Sequence, residues 1–429
     1  MLSVSTALAR LQDGLGESFP DSSGTRIIDI AFPLNDAFDP LLWCGQQAQW
    51  PQFYWQQRNG DEELAALGAV KTFSSLDAAN RFLCQTGRQG LRIGGLNAFE
   101  PQQGSLVLPR LEWHRCGGRA VLRLVLHSDI SLREDAATAR AFLASLTTTQ
   151  ATPGAIPPLL SERHSSDYSQ WQAMIARATK AISAGEMDKV VLARATDLQF
   201  AAPLDAVSIM AASRRSNLNC FHFLMAFNAR QAFFGSTPER LWRRRGALLR
   251  TEALAGTVAN HQEDAKAQQL ADWLMKDDKN QRENMLVVED ICQRLQSEAS
   301  TLDVLPPQVV RLRKVQHLRR CIWTELAAPD DSRCLLQLQP TAAVAGLPRR
   351  AALAFIQRHE PFAREWYAGS AGYLSLAQSE FCVALRSAKV DHDTLRLYAG
   401  AGIVSGSDAQ QEWQEIDNKA AGLRSLLCP

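Results

Sequence analysis

Cys220-Phe-His-Phe-Leu-Met-Ala-Phe227-Asn-Ala-Arg-Gln231-Ala-Phe-Phe-Gly235 is two apolar runs joined by a short polar stretch. Runs of this length, rich in aromatic residues and broken by Asn228-Ala-Arg-Gln231, predict a β-hairpin. A hairpin requires antiparallel pairing. To either side of it, Lys189-Val-Val-Leu-Ala-Arg194-Ala predicts a strand, and Trp171 to Ala184 repeats apolar residues at helical spacing. Leu270 to Gln296 is mostly helical, and Leu395 to Tyr398 is a strand followed by Gly400-Ala-Gly402. Shorter strand-like runs occupy Arg26 to Ile30, Leu91 to Ile93, Ser105 to Leu108 and Ala120 to Val125. Hairpins mixed irregularly with helices favour an α+β fold of antiparallel sheet covered by helices. There is no internal repeat.

The chain has 429 residues, which suggests two or three domains. Leu146 to Leu160 is rich in Thr, Pro and Gly and predicts a linker. It separates an N-terminal α/β portion, 1–150, from a second region, 160–429. A net charge of +1 gives no reason to expect nucleic acid or an acidic membrane surface. Met1 to Arg10 lacks the pattern of a signal peptide, and no apolar run approaches the ~20 residues that cross a bilayer. Nine dispersed cysteines without a Cys-x-x-Cys pair predict free thiols and a cytoplasmic location. No His-Glu-x-x-His spacing suggests zinc.

Several residues could carry chemistry. Glu412, Glu415 and Lys419 fall within an arc of roughly 60° on a final helix, beside Ile416 and Leu423. Acids facing inward must be paired or hold a metal. Glu283 shares a helix face with Val287 and Asp290 and also points partly inward. These glutamates either pair with nearby cations or make an oxygen-only site of the kind Mg²⁺ prefers. Lys189 opens an apolar strand. It is either a snorkelling surface lysine or a general base at the edge of a cleft. Glu239 follows Pro238 and precedes Arg240, Leu241 and Trp242. It is either a turn acid paired with Arg240 or a proton donor in apolar surroundings. Arg386, inside the apolar run from Val383, needs an anion, whether a core acid or a bound carboxylate. Gly400-Ala-Gly402 is either a tight turn or a place where backbone N–H groups meet an anion, ahead of a helix capped by Ser407 with Gln410 at the capping-box position.

Ordered along residues 165–428, these segments resemble the chorismate-utilising enzymes. The resemblance rests on Lys189-Val-Val-Leu-Ala-Arg194, Gly235-Ser-Thr-Pro-Glu239-Arg240, Glu252-Ala-Leu-Ala-Gly256-Thr257, Asp278-Lys-Asn-Gln-Arg-Glu283 and Gln316-His317-Leu318. It continues through Pro340-Thr-Ala-Ala-Val-Ala-Gly346, Trp366-Tyr367-Ala-Gly-Ser-Ala-Gly372, Leu385-Arg386-Ser387, Gly400-Ala-Gly402 and Glu412-x-x-Glu415-x-x-x-Lys419. Tyr54-Trp-Gln-Gln-Arg58 and Gly95-Leu-Asn-Ala-Phe99 resemble the isochorismate-forming branch that serves the menaquinone pathway. One departure is Gln339, where related enzymes often carry histidine.

The resemblance implies a fold of two stacked antiparallel sheets flanked by helices, with 160–429 as the catalytic region. It further implies that Lys189 activates a water that attacks C2 of chorismate, and that Glu239 protonates the departing C4 hydroxyl. By the same resemblance Mg²⁺ lies on Glu283 and Glu415, with Glu412 beside it. Tyr367, Arg386 and the Gly402 N–H are expected to bind the pyruvyl carboxylate. Gly256, Thr257, His317 and Lys419 would complete the substrate pocket. Lys189, Ala255 and Ala343 together point to water addition that stops at isochorismate. Salicylate synthase and a siderophore-pathway isochorismate synthase are the alternatives. Chorismate is the expected partner, with no glutaminase subunit, in a monomer or homodimer.

Overall fold

In the computed structural model, residues 4–32 and 38–427 are described. Cys428, one of the nine cysteines, lies outside them, as do the first three residues of the N-terminal stretch. The predicted hairpin is present: Phe221–Ala226 pairs antiparallel with Gln231–Thr237, Phe234 opposite Leu224. From it a ladder extends both ways. On one side Phe221–Ala226 pairs with Gln52–Gln56, which leads through Glu62–Phe73 and Gly104–Cys116 to Arg119–Ser128 and Gly24–Phe32. On the other, Gln231–Thr237 pairs with Ser387–Asp391, then Thr394–Ile403 and Lys189–Phe200.

The strand Gly104–Cys116 is shared with a second sheet. Its first half pairs with Ile93–Asn97, followed by Ser370–Leu374, Gln378–Val383, Arg240–Arg245, Leu248–Ala259 and Val315–Leu326. All of these pairings are antiparallel. The two sheets face each other across one large apolar core, in which Trp55 of the first meets Tyr373 of the second edge-on at 5.3 Å. Alternation along each strand sends its other residues outward. Phe53 and Trp55 point into the core between the sheets. Tyr54 points to a second core, under the helices Val4–Gly14, Pro40–Gly45, Leu132–Ala144 and Ala206–Ser216. The α+β expectation of two stacked antiparallel sheets flanked by helices therefore holds.

Some boundaries differ from the expectations. Leu270 to Gln296 is not one helix but parts of two, Asp264–Lys276 and Asp278–Leu295. Asp277 interrupts them because its carboxylate accepts the Asn280 N–H at 2.9 Å and starts a new helix. Gly400-Ala-Gly402 does not follow its strand as a turn; it lies within Thr394–Ile403. The closing helix, Ala409–Leu427, is capped by Asp408, whose Oδ1 accepts the N–H groups of Gln410 and Gln411. Ser407 Oγ turns back instead to accept Val404 N–H. No regular element occupies residues 145–158. The eight described cysteines are all unpaired, and no helix among the described residues is long and apolar enough to cross a membrane.

Candidate active site

The strand Lys189–Phe200 presents Lys189 at its first position, 2% exposed. Its Nζ donates to Glu283 Oε1 at 3.0 Å. Glu283 sits one turn into the helix Asp278–Leu295, and the Lys189 charge holds its carboxyl below the usual range. Lys189 is thus buried against an acid rather than snorkelling to the surface.

Glu239 lies between the strands Gln231–Thr237 and Arg240–Arg245 and is 3% exposed. It is not paired with Arg240, which reaches Glu380 at 2.8 Å instead. Burial, and then the nearby charge of Glu252, push the Glu239 carboxyl up to about 8, against the opposing pull of Lys189 and Lys419. It therefore keeps its proton at neutral pH. The same ammonium groups that face it come from the strand opening at Lys189 and from the closing helix.

Arg386 stands at the junction of the strands Gln378–Val383 and Ser387–Asp391, not inside a strand, and adopts φ +48°. Among the described residues it makes no ion pair. Its Nη2 meets His317 Nε2 at 3.2 Å, while His317 Nδ1 lies 2.9 Å from Thr257 Oγ1. Burial, then the Arg386 charge, hold His317 well below its ordinary range, so it is neutral. A guanidinium has only protons to offer, so the single ring proton sits on Nδ1, where it faces the Gly256 carbonyl and Thr257 Oγ1. Thr257 N–H donates in turn to Asn280 Oδ1 at 3.0 Å. The preceding Gly256 has φ +85°, and a Cβ there would stand 3.1 Å from Asn280 O. Gly256, Thr257, His317 and Arg386 thus form one connected wall that ends on a cation without an acid.

Gly400 and Gly402 lie opposite Ala193 and Val191. Those two partners send their N–H groups away, to Glu360 Oε1 at 2.8 Å and Ala345 O at 2.9 Å. In an antiparallel ladder this marks pairs whose backbone groups point outward on both strands. Ser387–Asp391 covers only Thr394–Leu397 on that outer edge. The Gly402 N–H therefore faces an open edge, and Gly400 O accepts Lys419 Nζ there at 2.9 Å. A Cβ on Gly402 would meet Lys189 Cε at 3.0 Å, and one on Gly400 would meet the Tyr367 hydroxyl at 3.0 Å. Tyr367 is buried and stacked on Tyr398 at 5.0 Å, and burial raises its phenol to about 12.

Glu412, Glu415 and Lys419 are half-buried rather than buried. Lys419 pairs with Glu415 at 2.6 Å. Glu412 is raised by burial and by the charge of Glu415. Among the described residues no three His, Cys, Asp or Glu side chains form a group that could hold a metal ion, so the expected ligand set is not assembled as it stands. Glu283 and Glu415 are each paired with an ammonium group instead, those of Lys189 and Lys419. The donor chemistry still suits a hard cation. All three groups offer oxygen, and the crowding of Glu412 by Glu415 is what a bound cation relieves.

Three participants around the site had no assigned role in the sequence. Glu252 and Arg58 form a bidentate pair beside Glu239, and Asn280 fixes Thr257. Glu252 carried a signal of its own, an acid entering an apolar strand.

A family model described as chorismate binding enzyme matches residues 97–428. The isochorismate synthase MenF of Escherichia coli (strain K12) is 65% identical over 100% of this chain and 99% of its own length. That of Haemophilus influenzae is 40% identical over 91% of this chain and 90% of its own. Among solved structures, the menaquinone-specific isochorismate synthase of Escherichia coli superposes with a TM-score of 0.98 at 65% identity, covering 99% of this chain and 100% of that one. Anthranilate synthase component I of Streptococcus pneumoniae, at 21% identity and a TM-score of 0.67 over 98% of this chain and 97% of its own, shares the fold.

Proposed function

Because the chain belongs to the chorismate binding enzyme family, we propose that it converts chorismate to isochorismate, the reaction named for its relatives, at the head of menaquinone synthesis. The observation that carries this reading is an acid–base pair. Glu239 is buried and retains its proton to about pH 8, and it faces the buried amine of Lys189. Adding water at C2 while expelling the C4 hydroxyl needs both a base and an acid, because hydroxide leaves poorly. One water enters, one leaves, and the ring double bonds shift, so the reaction is an isomerisation.

Lys189 takes the proton of the attacking water, and Glu239 delivers its own to the C4 oxygen. Arg386, Tyr367 and the outward-facing Gly402 N–H hold the pyruvyl carboxylate, which supplies the anion Arg386 lacks. Neutral His317, held by Thr257 beyond Gly256, fixes the Arg386 fork. Lys419 lines the pocket from the closing helix.

Chorismate carries two carboxylates. With Lys189 acting as the free amine, Lys419 and Arg386 face Glu283, Glu412 and Glu415, so a dianion arrives with no net positive charge to receive it. Mg²⁺ held by Glu283 and Glu415, with Glu412 beside it, would supply that charge and act as a Lewis acid on the ring carboxylate. Residues 160–429 carry these groups, and 1–150 complete the fold. We place the enzyme in the cytoplasm, acting without a glutaminase subunit as a monomer or homodimer.

Incubating the protein with chorismate and Mg²⁺ and resolving the products tests the reading. Isochorismate without pyruvate is expected. Equal amounts of salicylate and pyruvate would overturn it in favour of salicylate synthesis.

A further inference from the structure

We propose that Arg58 and Glu252 are positioning residues that bracket Glu239, so that the N-terminal portion of the chain helps to aim and poise the catalytic acid. The inference rests on Glu239 being that acid. Arg58 follows the strand Gln52–Gln56, and Glu252 lies in Leu248–Ala259 of the other sheet, 194 residues away in sequence.

The geometry is a clamp on three consecutive residues. Arg58 Nη1 and Nη2 grip the Glu252 carboxylate at 2.6 and 2.8 Å, and Nη1 also donates to Pro238 O at 2.8 Å. The carboxylate accepts the Arg240 N–H at 2.8 Å. One ion pair therefore fixes the carbonyl before Glu239 and the amide after it. The Glu239 carbonyl itself accepts Val383 N–H at 3.0 Å. With the main chain held on both sides, the side chain has little freedom except about its own bonds.

The pair is also a charge device. Its acid is fully enclosed, and its guanidinium is 13% exposed. Burial raises the Glu252 carboxyl, but Arg58 and Arg240 outweigh it and keep the group ionised. Glu239 is thus faced by one fixed negative charge, Glu252, and by two ammonium groups, Lys189 and Lys419, with the Thr341 hydroxyl nearby. The negative charge favours the protonated acid, and the clamp keeps that charge in place.

Two substitutions separate geometry from charge. Arg58→Lys retains the charge but loses the planar fork and cannot grip Glu252 and Pro238 O together. It should lower kcat about tenfold, with KM for chorismate nearly unchanged and the alkaline limb of the pH profile unmoved. Arg58→Gln with Glu252→Gln keeps a neutral hydrogen-bonded pair, which guards against misfolding from an unpaired buried charge. It should move the alkaline limb down by about one pH unit. The infrared carboxyl band that Glu239→Gln deletes should disappear at correspondingly lower pH. Lysine and double variants that both melt and turn over like the parent, with the limb in place, would overturn the proposal. Glu239→Gln distinguishes the acid from its clamp. If it retains full activity, the acid assignment is wrong. If it is inactive while the Arg58 and Glu252 variants behave as the parent, only the clamp is wrong.

Discussion

Lys189 and Glu239, the buried pair of the proposed mechanism, each make a separate prediction. Lys189→Ala should lower kcat by ~10²–10⁴, the usual worth of a general base, with chorismate binding largely intact. Steady-state kinetics checks this, and a near-normal rate would remove Lys189 from the role. Glu239 has a consequence for stability. Its folded-state value of about 8 lies above its ordinary 4.5. Its contribution is therefore fully present below the ordinary value and is lost as pH rises through about 8. Glu239→Gln has no such loss. Urea unfolding at pH 5 and pH 9 should show the parent losing more than the variant, on the order of up to 5 kcal/mol. Equal losses would mean that the carboxyl is not held protonated. At this scale, Lys189 and Glu239 were visible in the sequence, since each is a charged residue set against an apolar strand. Arg58 and Glu252 were not visible as a unit. Nothing local in either segment announces a partner 194 residues away.

Two adjoining elements line the pocket. The strand Thr394–Ile403 brings Gly402 so close to Lys189 that a methyl group has no room, with 3.0 Å to Cε and 3.5 Å to Nζ. Gly402→Ala should push the amine off its position and lower kcat at least tenfold, while the thermal midpoint changes by a few degrees. A variant with parental kcat would show that Lys189 can be displaced without cost. Its neighbour, the closing helix, is fastened by Arg194, which donates to Asp417 at 2.5 Å and lies 4.0 Å over the Trp413 ring. Glu412 and Glu415 on this helix are half-buried, where the helical wheel alone suggested burial. The wheel assigns a direction, but the depth depends on what the helix leans against. The placing of Gly400-Ala-Gly402 inside a strand was missed for a related reason. The glycines looked like a turn, and their use as an unpaired strand edge depends on where Ser387–Asp391 stops.

Across the whole molecule the balance of charge in the pocket governs what it can accept. If a divalent cation replaces lysine as the partner of Glu283 and Glu415, Mg²⁺ should raise the melting temperature of the parent and not of Glu283→Gln or Glu415→Gln. EDTA should abolish isochorismate formation. Turnover that survives EDTA, or a thermal response unchanged in both variants, would remove the metal from the mechanism. The overall architecture was largely readable, because one hairpin requires antiparallel pairing and its neighbours repeat the pattern. The sharing of Gly104–Cys116 between two sheets was not. It depends on which half of a long strand meets which partner.

The same interleaving bears on how the protein is made. Asn97 meets Ser370, 273 residues later, where Ile93–Asn97 pairs with Ser370–Leu374. At a ribosomal rate of ~5–20 residues per second, the earlier strand waits roughly 14–55 s for its partner to emerge. Through that interval the strand Ile93–Asn97 lacks the partner it has in the finished fold. The second sheet therefore cannot close until its late segment has been made, and slower elongation between the two segments only lengthens the wait.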